Sequence, residues 1–89
     1  MLEQTVERYL VNRIKQLGGT CEKFVSPNRR SVPDRIITLP GGEVIFVEMK
    51  APGKKPTPLQ AKDHALRREL GCTVLVLDSK KGVDNAFPK

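Results

Sequence analysis

The stretch "DRIITLPGGEVIFVEMK", residues 34–50, limits the possible folds more than any other part of the chain. Two runs rich in β-branched and aromatic residues flank Pro40-Gly41-Gly42. Such runs around a Pro/Gly turn predict a β-hairpin. The second run, "VIFVEM", is apolar at successive positions. A strand with both faces apolar belongs in the middle of a sheet.

The flanking segments supply the rest of a small domain. "LEQTVERYLVNRIKQL", residues 2–17, places Leu2, Val6, Leu10, Ile14 and Leu17 at spacings of four and three, the stripe of an amphipathic helix. Gly18 and Gly19 stop it. "TCEKFV" predicts a short strand, and "SPNRRSVP" a basic turn-rich loop. After the Pro- and Lys-rich "APGKKPTPLQ", a second helix is expected over Pro58–Leu70, with Thr57 as N-cap and Gly71 as stop. "CTVLVLD" predicts a last strand, parallel to the strand before the helix. The tail from Ser79 onward predicts one short turn of helix at most. The expectation is α/β, one domain over residues 1–89, with the order α-β-β-β-α-β and a small mixed sheet flanked by helices.

The hairpin carries charges where burial makes them costly. Residues two apart on a strand share a face, so Glu48 and Lys50 point the same way, above Phe46. The turn centres on Gly41, with Asp34 seven residues before it and Glu48 seven after. Antiparallel pairing therefore brings the two acids together. Carboxylates at close quarters repel, and a divalent cation offsets the repulsion; oxygen donors select Mg²⁺ or Mn²⁺. A cation held by Asp34 and Glu48, with Lys50 beside a bound water or a developing charge on phosphorus, is the apparatus of phosphodiester hydrolysis. Alone, "ExK" is common and reads equally as a salt bridge at a strand end.

Composition agrees with a polyanionic partner. Sixteen Lys and Arg against ten Asp and Glu give a net charge of +6. Lys23, Arg29, Arg30, Arg35, Lys54 and Lys55 flank the acids in sequence. Arg29, Arg30, Lys54 and Lys55 lie in the bracketing loops, where phosphate contacts are expected. Arg67, Arg68, Lys80 and Lys81 read as solvated faces, and His64 as a satisfied surface histidine. Aromatics are 4% with no Trp, which argues against a stacking platform for single strands. Cys21, Cys72 and the lone His64 do not make a zinc site. No run approaches the length of a membrane span and no signal peptide is visible, so a cytoplasmic protein with reduced thiols is expected.

"PD", thirteen residues and then "EMK" matches the PD-(D/E)xK nuclease signature. The wider text, "LGG", "FVSPNRRSVPDRI", "LPGG", "FVEMKAPGKKPTPLQ" and "LG" before the last strand, resembles the VRR-NUC family, in the minimal stand-alone form of phages and bacteria. The resemblance covers nearly the whole chain. It implies a restriction-endonuclease-like core and a Mg²⁺- or Mn²⁺-dependent DNA endonuclease in a bacterial cytoplasm. It implies Asp34, Glu48 and the Met49 carbonyl as metal ligands and Lys50 as the catalytic lysine. It also implies an active-site glutamine, matched by Gln60, and an acid on the first helix. Gln60 has a second reading, since Thr57-Pro58-Leu59-Gln60 is a capping box. For the helix acid, Glu3 and Glu7 lie on one side; Glu7, in "ExxL", is preferred. Stand-alone relatives resemble dimeric Holliday-junction resolvases, so branched DNA and a homodimer are expected. The alternatives are a flap-directed or restriction-like nuclease, or a non-catalytic DNA-binding accessory module.

Overall fold

A computed structural model describes residues 3–89, with the side chains of Glu3 and Gln4 left aside. Leu2 of the expected stripe, and the side chain of the alternative helix acid Glu3, lie outside the described residues. The elements are α1 (Glu3–Gln16), β1 (Thr20–Lys23), β2 (Arg35–Thr38), β3 (Val44–Met49), α2 (Pro58–Glu69), β4 (Thr73–Leu77) and α3 (Lys80–Ala86). β2 and β3 form the expected hairpin, with Thr38 opposite Val44 and Arg35 opposite Val47. Its turn closes through Leu39 N–H to Glu43 O at 2.8 Å and Gly42 N–H to Leu39 O at 3.0 Å. Gly41 and Gly42 take φ of 96° and 88°, which a side chain would resist.

The sheet order is β1-β2-β3-β4. β1 lies antiparallel to β2, and β4 parallel to β3, so β3 is an interior strand as its apolar run requires. Alternation along β3 sends Ile45, Val47 and Met49 to one face. There they join Val6, Leu10 and Ile14 of α1, Ile37 of β2, Leu77 of β4, and Val83 and Phe87 of the C-terminal segment in one core. Phe46 and Glu48 point to the opposite face, which α2 covers. Gly19 lets α1 turn closely onto the sheet: a Cβ there would sit 2.5 Å from the Thr38 carbonyl oxygen.

Two expectations change. The first strand ends at Lys23, not Val25. Phe24 N–H still reaches Asp34 O at 2.8 Å, but Val25 is 81% exposed as the chain leaves the sheet. The tail forms a full helix, α3, capped by the Ser79 hydroxyl accepting from Gly82 N–H. Tertiary contacts hold it there. Arg13 donates to Phe87 O at 2.7 Å and to Asp84 Oδ1 at 2.7 Å, while Tyr9 Oη donates to the same Asp84 oxygen at 2.7 Å.

Candidate active site

The β2–β3 register, continued one residue past Arg35 and Val47, sets Asp34 opposite Glu48. Directly opposed residues in an antiparallel pair have Cα atoms about 4.5–5.5 Å apart and share a face. Asp34 stands just outside β2, where its side chain takes over the ladder: Oδ2 accepts from Met49 N–H at 2.8 Å. An extended residue directs its N–H and C=O to the same strand edge. The Met49 carbonyl is therefore on the Asp34 side, whereas Lys50 N–H turns the other way to Leu77 O at 3.0 Å. Asp34 is half-buried and Glu48 almost wholly buried.

A buried carboxylate needs polar company. Part of it comes from α2. His64 Nε2 lies 3.4 Å from Glu48 Oε1, with both side chains 2% exposed. This corrects the reading of His64 as a surface residue. Burial first, and then the positive charges of Arg68, Lys50 and Arg67, push its pKa below the usual histidine value, against the opposing pull of Asp63. A ring with its proton on Nε2 donates to the carboxylate from this position.

Asp63, the preceding residue, carries no signal in the sequence that separates it from a solvated helix acid. Its side chain is wholly buried, bonded by Arg67 Nε at 2.7 Å to Oδ2. Arg29 Nη2 lies 2.8 Å from Oδ1, off the N–H axis of a good hydrogen bond. The acid precedes Arg67 by four residues, the favourable order on a helix. Arg67 in turn lies over the rings of Phe24 and Phe46, 5.1 and 4.9 Å from their centroids. It is thus a packed residue and not a solvated one. Arg68 is also engaged, donating to Val74 O at 2.8 Å. Lys80, likewise read as solvated, sits 5.3 Å from the Tyr9 ring centroid.

The remaining expected residues are placed as follows. Glu7 Oε2 accepts from Arg35 Nε at 3.1 Å, and Glu7 shares with Asp34, Lys23, Phe24 and Val25 a cleft of about 250 Å³. Gln60 completes the capping box: its Oε1 accepts from Thr57 N–H at 2.9 Å, and Thr57 Oγ1 accepts from Gln60 N–H at 3.2 Å. Gln60 also borders a cleft with Arg30 and Ser31, while Arg30 borders the next cleft along with Asp34. Openings thus run from Glu7 past Asp34 and Arg30 to the start of α2. Lys50 is half-buried; Lys54 and Lys55 are exposed in the loop beyond it. Arg30 is exposed, whereas Arg29 is partly committed to Asp63.

Among the described residues, no three His, Cys, Asp or Glu side chains cluster to hold an ion. An ion here would rest on two carboxylates, a backbone carbonyl, and water or phosphate. All are hard oxygen donors, and they fit Mg²⁺ or Mn²⁺. Among the described residues no helix is long and apolar enough to cross a membrane.

No family model matches the chain. It is 54% identical over 78 residues to "Putative nuclease p44" of Acyrthosiphon pisum secondary endosymbiont phage 1, a match covering 88% of this chain and 84% of that protein. Its fold is similar to a solved structure described as a VRR_NUC domain, with a TM-score of 0.89 and 37% identity, covering 93% of this chain and 90% of the other. With the opposed acids, the lysine two residues on and the matching four-stranded sheet, this places the chain in the VRR-NUC nuclease family.

Proposed function

We propose that the protein is a metal-dependent DNA endonuclease of the PD-(D/E)xK type, acting on branched DNA. One observation carries the reading: Asp34 and Glu48 oppose each other at the open end of a hairpin, with Lys50 two residues beyond and basic loops on both sides. In this reading Asp34, Glu48 and the Met49 carbonyl hold Mg²⁺ or Mn²⁺. A bound divalent cation supplies a Lewis acid for a phosphate oxygen and lowers the pKa of a ligated water. Lys50 brings an ammonium to the reacting phosphate, where it orients the attacking water and stabilises charge building on phosphorus. Arg30, Lys54 and Lys55 hold the flanking backbone. Glu7 and Gln60 border the same run of clefts, Gln60 with only its Oε1 engaged by the cap.

A homodimer suits a substrate with two equivalent strands to cut. Leu59 and Leu66 of α2 and the C-cap Leu70 recur at helical spacing along one flank of the helix, 71%, 41% and 75% exposed, and supply an apolar stripe for a second copy. Light scattering across a dilution series tests this; a mass of one chain in a cutting-competent solution refutes it. The function is tested with labelled four-way junction, flap and linear duplex, with Mn²⁺ and with EDTA. Metal-dependent cutting of the junction in preference to linear duplex is expected. Binding that survives EDTA without cutting under any metal would identify a DNA-binding accessory module instead. Preference for the flap or the linear duplex would assign a different nuclease class.

A further inference from the structure

We infer that His64 is a positioning residue for Glu48, holding its carboxylate in the orientation that accepts a metal ion. The inference rests on the metal-binding reading above. His64 approaches Glu48 from α2, Nε2 to Oε1 at 3.4 Å, with both side chains sealed from solvent. The helix behind it is firmly seated. Its first turn is closed by the reciprocal Thr57–Gln60 cap. One residue from His64, Asp63 anchors Arg67 across Phe24 and Phe46, so the imidazole is presented by a fixed backbone. The opposite acid is also held, by the Met49 N–H on Asp34 Oδ2. Each carboxylate thus has a protein group beside it. Ligating carboxylates are commonly hydrogen-bonded in this way, and losing such a partner costs about 10–100-fold in metal affinity or activity. At 3.4 Å the contact is at the long end of hydrogen bonding, which places the expected loss near the lower end of that range.

The competing reading is that Glu48 serves His64, satisfying a buried ring nitrogen for the sake of the fold. His64→Gln and His64→Asn separate the two. Glutamine carries an amide N–H about as far out as the imidazole Nε2; asparagine is one methylene short. Both are polar and burden folding similarly, which circular dichroism melts check. Mn²⁺ alone is titrated calorimetrically into the intact protein without DNA. Wild type and His64→Gln should bind alike, and His64→Asn about tenfold more weakly. In cleavage assays the Mn²⁺ half-saturation of His64→Asn should rise by the same factor while KM for DNA stays put. Equal Mn²⁺ affinity in wild type and His64→Asn overturns the inference, as does an equal loss in both variants. A wild-type protein that binds no Mn²⁺ overturns the metal reading itself, and this inference with it.

Discussion

The two faces of the sheet are built on opposite principles. On one, α1 sets Val6, Leu10 and Ile14 against Ile37, Ile45, Val47 and Met49, all almost fully buried. On the other, the only buried residues of α2 are Asp63 and His64, while Leu59, Leu66 and the C-cap Leu70 are exposed. The first face obtains its stability from apolar burial, worth about 25 cal/mol per Å² removed from water. The second is held by an ion-pair cluster, two phenyl rings and a capped helix. Burying charges offsets most of what their pairing contributes, so the second face adds little stability for its area. What it adds is a polar, low-dielectric floor beneath Glu48, where electrostatic effects are strong. One strand, β3, serves both purposes by alternation, residue by residue.

The sharpest way to break this division is to remove charge from the second face. Asp34→Asn, Glu48→Gln and Lys50→Met should each abolish cleavage of any DNA that the wild type cuts. Asparagine at 34 keeps an acceptor for Met49 N–H, and glutamine at 48 keeps the volume, so thermal melting should not fall. A Glu48→Gln protein that melts well below wild type would show that the acid supports the fold. One that cuts normally would remove Glu48 from the chemistry.

The converse test truncates the first face. Leu10→Ala and Ile14→Ala, both at fully buried positions, should each cost about 2–5 kcal/mol in a urea titration. That is a large share of the stability expected of a small domain, about 5–15 kcal/mol. Cleavage per folded molecule should be unchanged. Leu66→Ala, at a position exposed in the single chain, should stay within about 0.5 kcal/mol of wild type when unfolding is followed at a dilution where the chain is monomeric. If Leu66→Ala were as damaging as Leu10→Ala at that dilution, Leu66 would belong to the core of the single chain and not to a surface for a second copy.

These faces were not equally legible in the sequence. The hairpin, the interior position of β3 and the opposition of Asp34 and Glu48 follow from period-two alternation about a Pro-Gly-Gly turn. They are local consequences of short-range pattern. The α1 stripe is equally plain. The role of α2 is hidden in the sequence, because its leucines are exposed and its buried residues are an acid and a histidine, types that composition assigns to the surface. The buried His64 and the packed Arg67 depart from expectation for that reason, and Asp63 carries no sign of its burial. Their burial depends on partners from Phe24 to Glu48, contacts that no local rule supplies. The α3 helix is longer than the single turn that the local sequence predicts, being fixed by Arg13 and Tyr9 at the far end of the chain.

The neighbouring arginines sharpen the contrast at the edge of the site. Arg30 is exposed, while Arg29 reaches a buried acid. Arg30→Gln should weaken DNA binding across sequences and lower the slope of log K against log [salt] by about 0.9 on duplex DNA. Arg29→Gln should change that slope less and lower the melting temperature, since Asp63 keeps only Arg67. Equal slope changes in filter binding would show that Arg29 leaves Asp63 for the phosphate.

The smallest effect tests whether the first face has any electrostatic part. The hydrogen bond from Tyr9, and then that from Arg13, hold the Asp84 carboxyl below its ordinary pKa. Seen from the other end, the same bond to Asp84, helped by burial, raises the Tyr9 hydroxyl above its ordinary value. A lowered acid pKa means that the unfolded chain binds more protons in this range. The contribution is complete above the ordinary carboxylate pKa and is lost as pH falls through the folded value. For Tyr9 the sign reverses: the contribution is complete below the ordinary tyrosine pKa and is lost as pH rises through the raised one. One bond between α1 and α3 should therefore appear as two shallow slopes, one acidic and one alkaline, in stability against pH. Tyr9→Phe should erase the alkaline slope and reduce the acidic one, leaving the part due to Arg13. Asp84→Asn should erase the acidic slope and much of the alkaline one. Urea midpoints across the pH range for the three proteins decide it. If Tyr9→Phe leaves the acidic slope untouched, Arg13 alone sets the Asp84 charge, and the first face is held electrostatically by that single guanidinium.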